Sequence, residues 1–506
     1  MDLLLGIDVG TTGCKASLFD IEGRLISSGY REYKIISPHV GWAEEDPEEW
    51  WLKVAEAIRE CVGKAKINAN RIAGVAISCT NGLVAVDKEG KPLINAIMQI
   101  DNRCLQEVSW VKDTIGEDEV FAVTGNRIAA GTFSAPNILW IKNNLPEVFK
   151  NTSKFLVPTG FMVYKLTGEF SMDYTRASTT LLFDIRDRQW STDLCSKMEI
   201  PMDKLPDCYP SDVIIGKVKK EAAEMTDLME GIPVAVGLMD TAAAAIGMGA
   251  IGVHDPFLII GTVSRLSIGL KESIFDKRFL NVCYTSETPW MAMAPTNGGG
   301  ISLKWFRDTF GEMETLTADN MGLSPYQLFD LKASRINAGS DGLIYLPYIA
   351  GERSPIWDSY AKGVFFGISP SHKKAHFIKA IMEGVAFATK HNLEILEKEL
   401  GIQVKEIKIG GGGALSPLWI EIMAQILGKT IVKPRIVETE TLGSAFTAGK
   451  AVGIFSKYNE VKKMVQIQSE FKPKGEVTNL YDKYFQLYKT LYSHLKEDYQ
   501  HLQSIL

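Results

Sequence analysis

The feature that most constrains the fold of this chain is its N-terminal segment, in which two apolar runs of strand length flank Gly10-Thr11-Thr12-Gly13. This pattern predicts a β-hairpin whose turn is rich in glycine and hydroxyl groups. Such a turn can direct several backbone N–H groups and two hydroxyls at one anion. Asp8 adds a carboxylate suited to a hydrated Mg²⁺, and Lys15 adds a cation. The segment therefore predicts a phosphate-binding loop of neither the Walker nor the dinucleotide type, with an ordinary hairpin turn as the alternative.

A second hairpin of the same kind lies about 250 residues further along the chain. Pro256–Ile260 leads into Gly261-Thr262, and Leu266–Leu270 is the returning strand. Two halves that each open with such a hairpin predict an α/β fold of two actin-like (ribonuclease H-like) ATPase domains, with a cleft between them for one nucleotide. We expect an N-terminal domain over 1–250, a C-terminal domain over 251–455 and a helical tail over 456–506 that packs on the domains.

Composition excludes several classes of partner. The chain has 506 residues and a formal net charge of −6, so it lacks the basic excess of an extended nucleic-acid surface. Its seven cysteines are dispersed without a C-x-x-C pair, which is typical of a reducing compartment. The longest apolar stretch, around 232–253, is rich in Ala and Gly and contains Asp240, which makes it a poor membrane span. We expect a cytoplasmic protein that binds neither nucleic acid nor membrane, with a homodimer as an open alternative.

Local patterns place further elements along the chain. Asp46-Pro47 predicts the N-cap and first turn of a helix, whose apolar face continues to Val62. Glycine runs at 298–300 and 410–413 allow the backbone to approach a ligand closely, although tight turns would also use them. The other predicted elements are a β-hairpin near Phe170–Phe183, helices over 301–309 and 373–399, and a strand over 407–409.

Asp240 is the best candidate for a catalytic base. It follows an apolar strand and precedes a helix of small residues, Thr241–Gly249. A carboxylate at a helix N-terminus is held in its ionised, proton-accepting form by the helix dipole. A plain N-cap aspartate is the structural alternative.

Taken together and in this order, the motifs resemble the FGGY family of carbohydrate kinases over some 410 residues. The resemblance rests on eight segments: residues 6–20, Gly41-Trp42-Ala43-Glu44-Glu45-Asp46-Pro47, Asp101-x-Arg103, Gly237–Asp240, Gly261-Thr262, Asn297–Trp305, Pro347–Pro355 and Gly411–Trp419.

The resemblance implies a kinase that uses ATP and Mg²⁺ and phosphorylates a hydroxyl of a sugar or polyol. It implies that Asp240 is catalytic, and that Mg²⁺ is held by Asp8, through water, and by Asp240. The nucleotide- and phosphate-binding residues that it implies are Gly10, Thr11, Thr12, Lys15, Gly261, Thr262, Gly300, Lys304, Gly412, Gly413, Ala414 and Pro417. The acceptor-binding residues that it implies are Thr80, Asn81, Gln99, Asp101, Asn137, Asp240 and Thr241.

The chain departs from the family pattern in the acceptor pocket. Many members carry Met-His or Arg-Glu where this chain has Thr80-Asn81, Trp at Gln99 and Lys at Asn137. Amides and a hydroxyl can hydrogen-bond a polyol but supply no charge for a sugar acid, and Arg103 is the only nearby cation that the sequence suggests.

We therefore expect a neutral ketose such as xylulose as acceptor. A gluconate kinase of the same family is the alternative, since the overall pattern is most similar to xylulokinases and next to gluconokinases. An actin- or chaperone-like ATPase and a non-catalytic sugar sensor are the alternatives of another class.

Overall fold

The computed structural model describes residues 2–435 and 438–505, which form two similar halves. The strands of the first half are β1 Leu3–Val9, β2 Gly13–Asp20, β3 Leu25–Glu32, β4 Glu44–Glu45, β5 Ile72–Cys79, β6 Gly82–Val86, β7 Ala96–Met98, β8 Lys154–Leu156, β9 Ser171–Asp173, β10 Phe183–Asp184, β11 Gln189–Trp190, β12 Asp207–Tyr209, β13 Ile214–Lys217, β14 Pro233–Ala235 and β15 Leu238–Met239. Its helices are α1 Pro47–Ala65, α2 Leu105–Thr114, α3 Glu117–Thr124, α4 Ser134–Asn144, α5 Pro146–Asn151, α6 Pro158–Thr167, α7 Tyr174–Ala177, α8 Thr192–Lys197, α9 Lys220–Thr226 and α10 Asp240–Gly247.

The second half begins at β16. Its strands are β16 Pro256–Ile260, β17 Ser264–Leu270, β18 Leu280–Cys283, β19 Trp290–Thr296, β20 Ile344–Leu346, β21 Val364–Phe366, β22 Glu406–Gly410, β23 Thr430–Pro434 and β24 Ile467–Phe471. Its helices are α11 Gly300–Phe310, α12 Glu312–Met321, α13 Pro325–Ala333, α14 Lys374–Glu394, α15 Pro417–Leu427, α16 Thr439–Ala451 and α17 Gly475–Ile505. Short 3₁₀ helices lie at Ala69–Arg71, Met202–Lys204, Ser340–Gly342, Gly412–Leu415 and Tyr458–Lys463, and a π-helical turn lies at Ile395–Glu399.

Each half is built on one large mixed sheet, and the two sheets share a topology. In the first, β3, β2 and β1 are antiparallel neighbours, β5 and β14 continue parallel to β1, and β13 closes the edge antiparallel to β14. In the second, β19, β17 and β16 are antiparallel, β22 and β23 continue parallel, and β24 closes the edge antiparallel to β23. This repetition confirms the duplicated α/β fold that the two glycine-threonine hairpins predict.

Two helices from different halves cross where the sheets meet. A Cβ built on Gly443 of α16 would lie 1.9 Å from the carbonyl oxygen of Ala243 in α10. A Cβ on Gly6 of β1 would lie 1.8 Å from the carbonyl oxygen of Thr441, again on α16. The backbones therefore touch, which only glycine permits. This close crossing brings the ends of β1, α10 and α16 to one point.

The C-terminal segment is more than a tail. Its strand β24 completes the second sheet, and α17 buries Tyr481, Phe485 and Tyr488 in the core of the second half. The segment expected as a packed helical tail over 456–506 is helical at Tyr458–Lys463 and Gly475–Ile505, and between them Ile467–Phe471 adds a strand that covers the β23 edge.

The hairpin predicted near Phe170–Phe183 is wrong. β9 pairs in parallel with β12, and the observed hairpin is β10 with β11, further along the chain. The intervening residues form the short helix α7, whose N-cap is Asp173.

Within the described residues, no helix combines the length and apolar character needed to cross a membrane.

Candidate active site

The first glycine-threonine loop joins β1 to β2 at the edge of the cleft. The loop is closed by a hydrogen bond from Gly10 N to Gly13 O of 2.9 Å, and the Tyr33 hydroxyl donates to the Gly10 and Gly13 carbonyl oxygens. These bonds fix the shape of the loop and use its carbonyl oxygens rather than the Thr11 and Thr12 hydroxyls. Thr12 lines a cavity of about 210 Å³ together with Asp8 and Lys15.

Carboxylates from three elements face this cleft. Asp8 lies at the end of β1, Asp240 begins α10, and Glu440 stands in the first turn of α16. Glu440 lines both the cavity beside Asp8 and a neighbouring cavity of about 160 Å³ beside Asp240. Burial, with the charges of Glu440 and Asp240 added to it, raises the pKa of Asp8, although a 2.7 Å hydrogen bond from the Ser78 hydroxyl opposes the shift. The two halves therefore concentrate negative charge at one point.

This donor set fits a hydrated magnesium ion. Carboxylate oxygens are the ligands that Mg²⁺ prefers. A dication would stabilise the ionised form of Asp8, whose pKa is raised by burial and then by the neighbouring carboxylates. No group of three or more His, Cys, Asp or Glu side chains among residues 2–435 and 438–505 could hold a metal ion by itself. A magnesium ion here would keep water or phosphate oxygens as most of its ligands.

One carboxylate oxygen of Asp240 is hydrogen-bonded and the other faces the cleft. Its Oδ1 accepts from the backbone N–H of Thr241 at 2.6 Å, from the Thr241 hydroxyl at 3.2 Å and from the Arg176 guanidinium at 3.3 Å. Within the described residues Oδ2 accepts no hydrogen bond, and the side chain is 32% exposed. This arrangement fixes the carboxylate while leaving one oxygen free to take a proton.

The second glycine-threonine loop is bonded to the start of α11. Gly300 N donates to Gly261 O at 2.8 Å, and Ile301 N donates to Thr262 O at 2.9 Å. A Cβ on Gly413 would lie 2.5 Å from the side chain of Ile260, the residue before Gly261. The glycine run at 410–413 therefore also reaches this loop. The structure thus brings together the glycine loops that the sequence places some 150 residues apart.

The remaining predicted nucleotide residues lie around these loops. Gly412 and Ala414 belong to the 3₁₀ helix that follows β22, and Pro417 is the first residue of α15. Lys304 lies one turn into α11, 3.5 Å from Asp308. Lys15 differs from these residues in that it forms an ion pair between the two halves: its ammonium group lies 2.6 Å from the Glu438 carboxylate, across the cleft.

Three of the predicted acceptor residues, Thr80, Asn81 and Gln99, are neutral and joined by hydrogen bonds, since Gln99 N donates to Asn81 O at 3.2 Å. The Gln99 amide donates to the Thr80 hydroxyl at 3.0 Å, and the Thr11 hydroxyl lies 3.4 Å from Thr80, which links this wall to the first phosphate loop. Asn81 donates to Thr132 O at 2.6 Å. The Oδ1 atom of Asn137, a residue only 2% exposed, has no hydrogen-bond partner in the part of the chain that the structure describes. An orphaned acceptor of this kind is expected where a ligand hydroxyl binds.

Asp101 is placed differently from the other predicted acceptor residues. It is fully buried, and its oxygens accept from Ala43 N, from Arg103 N and from the Arg103 guanidinium. Arg103 also pairs with Glu44 and stacks on Trp42 at 3.8 Å. The structure therefore uses Asp101 to anchor the loop beside the pocket.

Sequence reasoning missed four charged residues of the site: Arg176, Arg265, Glu438 and Glu440. The view that Arg103 is the only nearby cation is therefore wrong. Arg176 is the only charged residue in the run 174–183, and Arg265 is the only one on β17. A single charged residue in an otherwise uncharged segment was the signal that could have marked both as site residues. The two glutamates gave no signal, because acidic residues are common in the first turn of any helix.

Comparison with known proteins adds independent findings. The family models of the FGGY family of carbohydrate kinases match residues 3–247 with the N-terminal domain and residues 257–452 with the C-terminal domain. The xylulose kinase of Bacillus subtilis (strain 168) is 30% identical over 98% of this chain and 98% of that protein. The solved xylulose kinase from Lactobacillus acidophilus superposes with a TM-score of 0.91 at 27% identity, covering 99% of this chain and 100% of the other. The gluconate kinase from the same organism gives 0.90 at 27% identity and covers 99% of each chain.

Proposed function

The chain belongs to the FGGY family of carbohydrate kinases and is an ATP-dependent sugar kinase, and from that premise we propose that its acceptor is a neutral keto-sugar such as xylulose. The observation that supports this acceptor is the neutral, hydrogen-bonded set Thr80, Asn81 and Gln99, together with the unpartnered amide oxygen of the neutral Asn137. The nearest cations on that side are already paired, since Arg103 is held by Asp101 and Arg176 contacts Asp240 and the Cys79 carbonyl. A sugar carboxylate bound at these neutral residues would therefore lack a free counter-charge, which is costly. The unpaired Arg265 lies in the cavity beside Gly261, where we place the phosphoryl group.

The same premise supports a role for each half in the transfer. The loops at Gly10–Thr12 and Gly261-Thr262 hold the γ-phosphoryl group from opposite sides, and the acceptor hydroxyl hydrogen-bonds to Oδ2 of Asp240. As the hydroxyl oxygen bonds to the γ-phosphorus, the bond from phosphorus to the β,γ-bridging oxygen breaks and ADP departs with that electron pair. The hydroxyl proton passes to Asp240. Asp8, through water, and Asp240 would hold Mg²⁺, which would supply positive charge to neutralise the phosphate oxygens.

Water must be kept from the γ-phosphoryl group until the acceptor binds. Two domains that close on both substrates can achieve this, as in other kinases of two lobes. Asp101 and Arg103 would contribute by fixing the loop beside the pocket, without touching the acceptor. The adenosine portion of ATP would lie against Gly412, Gly413, Ala414 and Pro417, with Gly300 and Lys304 nearer the phosphates.

A side chain at Gly261 should weaken nucleotide binding without disturbing the fold. A Cβ there meets only the Val263 carbonyl oxygen, at 3.8 Å, so the added methyl group occupies the open cleft. We expect Gly261→Ala to weaken MgATP binding about tenfold in isothermal titration calorimetry, a loss of about 1.4 kcal/mol. Gly475→Ala, where a Cβ also has open space, is the matched control and should leave the Kd unchanged. An unaltered Kd in Gly261→Ala would contradict a phosphate at this loop.

The acceptor assignment predicts a ranking by kcat/KM. In a coupled assay of ADP formation across pentuloses, polyols and aldonates, we expect xylulose to be used best and gluconate to be used less well, because discrimination acts on the transition state. The MgATP affinity, measured without acceptor, is the internal reference. Gluconate as the best acceptor would favour the alternative assignment, and no ADP formation with any acceptor would indicate the sugar sensor.

A further inference from the structure

We infer that Arg265 is a second catalytic residue, which stabilises the transferred phosphoryl group from the second half of the chain. This inference rests on the proposed function, in that it assumes a phosphoryl group between the two glycine-threonine loops. Arg265 stands on β17, three residues after Thr262, and lines the 160 Å³ cavity that also contains Asp240, Gly261 and Glu440. Its guanidinium therefore faces the carboxylate proposed as base from the opposite half.

The Arg265 guanidinium has no counter-ion. Within residues 2–435 and 438–505 it forms no ion pair, and its hydrogen bond to a side chain goes to the Thr241 hydroxyl. Arg353, also beside the cleft, adds like charge: its proximity to Arg265, after burial, is a cause of the lowered pKa of Arg353. A half-buried guanidinium that is bonded only to a neutral hydroxyl retains donors for an anionic ligand.

Lys15 and Arg176, which also lie at the cleft, are committed to other partners. Lys15 is paired with Glu438, and Arg176 is bonded to Asp240 and to the Cys79 carbonyl oxygen. A nucleoside triphosphate must nevertheless enter a site where Asp8, Asp240 and Glu440 already repel one another. Arg265 is thus a guanidinium in this cavity that no carboxylate of the described residues pairs with, so it can bind phosphate oxygens.

The geometry matches what phosphoryl transfer requires. Charge develops on the oxygens of the transferred group as the bond to ADP breaks and the bond to the acceptor oxygen forms, and a planar guanidinium can donate to two such oxygens at once. Arg265 and Asp240 come from different halves, so the guanidinium reaches the phosphoryl group only when the halves are close. The residue would then act in the transition state and contribute little to binding of the ground-state nucleotide.

A purely structural role is the competing explanation. Arg265 donates to the Thr241 hydroxyl, and that hydroxyl donates to Asp240 Oδ1 at 3.2 Å. Arg265 could therefore serve only to position the base through Thr241. The two roles predict different results when Thr241 loses its hydroxyl.

The test compares Arg265→Gln, Arg265→Lys, Thr241→Val and the double variant Arg265→Gln/Thr241→Val. For Arg265→Gln we expect kcat to fall roughly 10²-fold, the lower end of what one preorganised donor contributes. We expect MgADP affinity to stay within about threefold, whereas binding of MgADP with aluminium fluoride and xylulose, a mimic of the transferring group, should weaken by about the same factor as kcat. Arg265→Lys should recover part of the loss. Arg335→Gln, an exposed arginine of the same half, is the control.

The outcomes separate the explanations. Additive losses in the double variant support direct action on the phosphoryl group, because each residue then contributes independently. Equal losses in Thr241→Val and Arg265→Gln, with no further loss in the double variant, would overturn the inference in favour of positioning. Unchanged kcat in Arg265→Gln would overturn it outright. A wild-type protein that phosphorylates no acceptor would overturn the proposed function instead.

Discussion

Asp240→Asn is expected to lower kcat by about 10²–10⁴-fold and to change MgATP affinity far less, because the main loss is the group that accepts the acceptor's proton. The amide keeps an oxygen that can accept from Thr241 N, so the start of α10 retains its hydrogen bond. What is lost is the free carboxylate oxygen that faces the cleft. Single-turnover measurements of phosphoryl transfer, with binding of MgATP measured separately, distinguish this chemical defect from a binding defect.

The same substitution also has a predictable effect on stability. Arg176 is 2% exposed and would lose its carboxylate partner, although its bond to the Cys79 carbonyl oxygen remains. Because Asp240 itself is 32% exposed, water already screens the pair, and the cost is about 1 kcal/mol. Kinetics should therefore be measured well below the Tm. Asp207→Asn, an exposed carboxylate on β12, is the matched control, and near-wild-type kcat in Asp240→Asn would refute the assignment.

Gly443→Ala is expected to destabilise the protein by about 3 kcal/mol or more. The new Cβ would lie 1.9 Å from the Ala243 carbonyl oxygen, so α10 and α16 must move apart. Over-packing of a close backbone contact costs typically 1–3 kcal/mol, and here the obstructing atom is backbone, which cannot rotate away. The separation also displaces Glu440 from Asp240, so activity should fall together with the Tm.

Gly63→Ala, which also replaces a helical glycine, is expected to have the opposite effect on stability. Gly63 lies in α1, is exposed, and a Cβ there meets no atom within 4 Å. Alanine should therefore stabilise the helix by roughly 0.5–1 kcal/mol, since glycine loses more conformational freedom on folding. Denaturant unfolding of both variants tests the pair. If Gly443→Ala proved as stable as the wild type, the close crossing of α10 and α16 would be contradicted.

The elements that the sequence predicted well are those whose causes are local. The hairpins at β1–β2 and β16–β17 follow from apolar runs on both sides of a glycine-threonine turn. The start of α1 follows from Asp46, whose side chain accepts from Glu48 N, and from the proline after it. Repetition of the hairpin was sufficient to predict the duplicated fold. The wrong hairpin near Phe170–Phe183 shows the limit, because the partner of β9 is β12, about 35 residues away.

Only the tertiary structure decided which charges meet in the cleft. Lys15 and Glu438 are 423 residues apart, and Arg176 and Asp240 are 64 apart, so no local pattern joins them. The contact of Asp101 with Ala43, 58 residues away, likewise depends on tertiary packing within the first half, and the approach of Arg265 to Thr241 depends on how the halves pack. Turn and cap preferences act over a few residues and can be read along the chain. The partners of Lys15 and Arg265 depend instead on how the two halves pack, including at the crossing of α10 and α16, where two glycine-containing backbones from distant parts of the sequence come into contact.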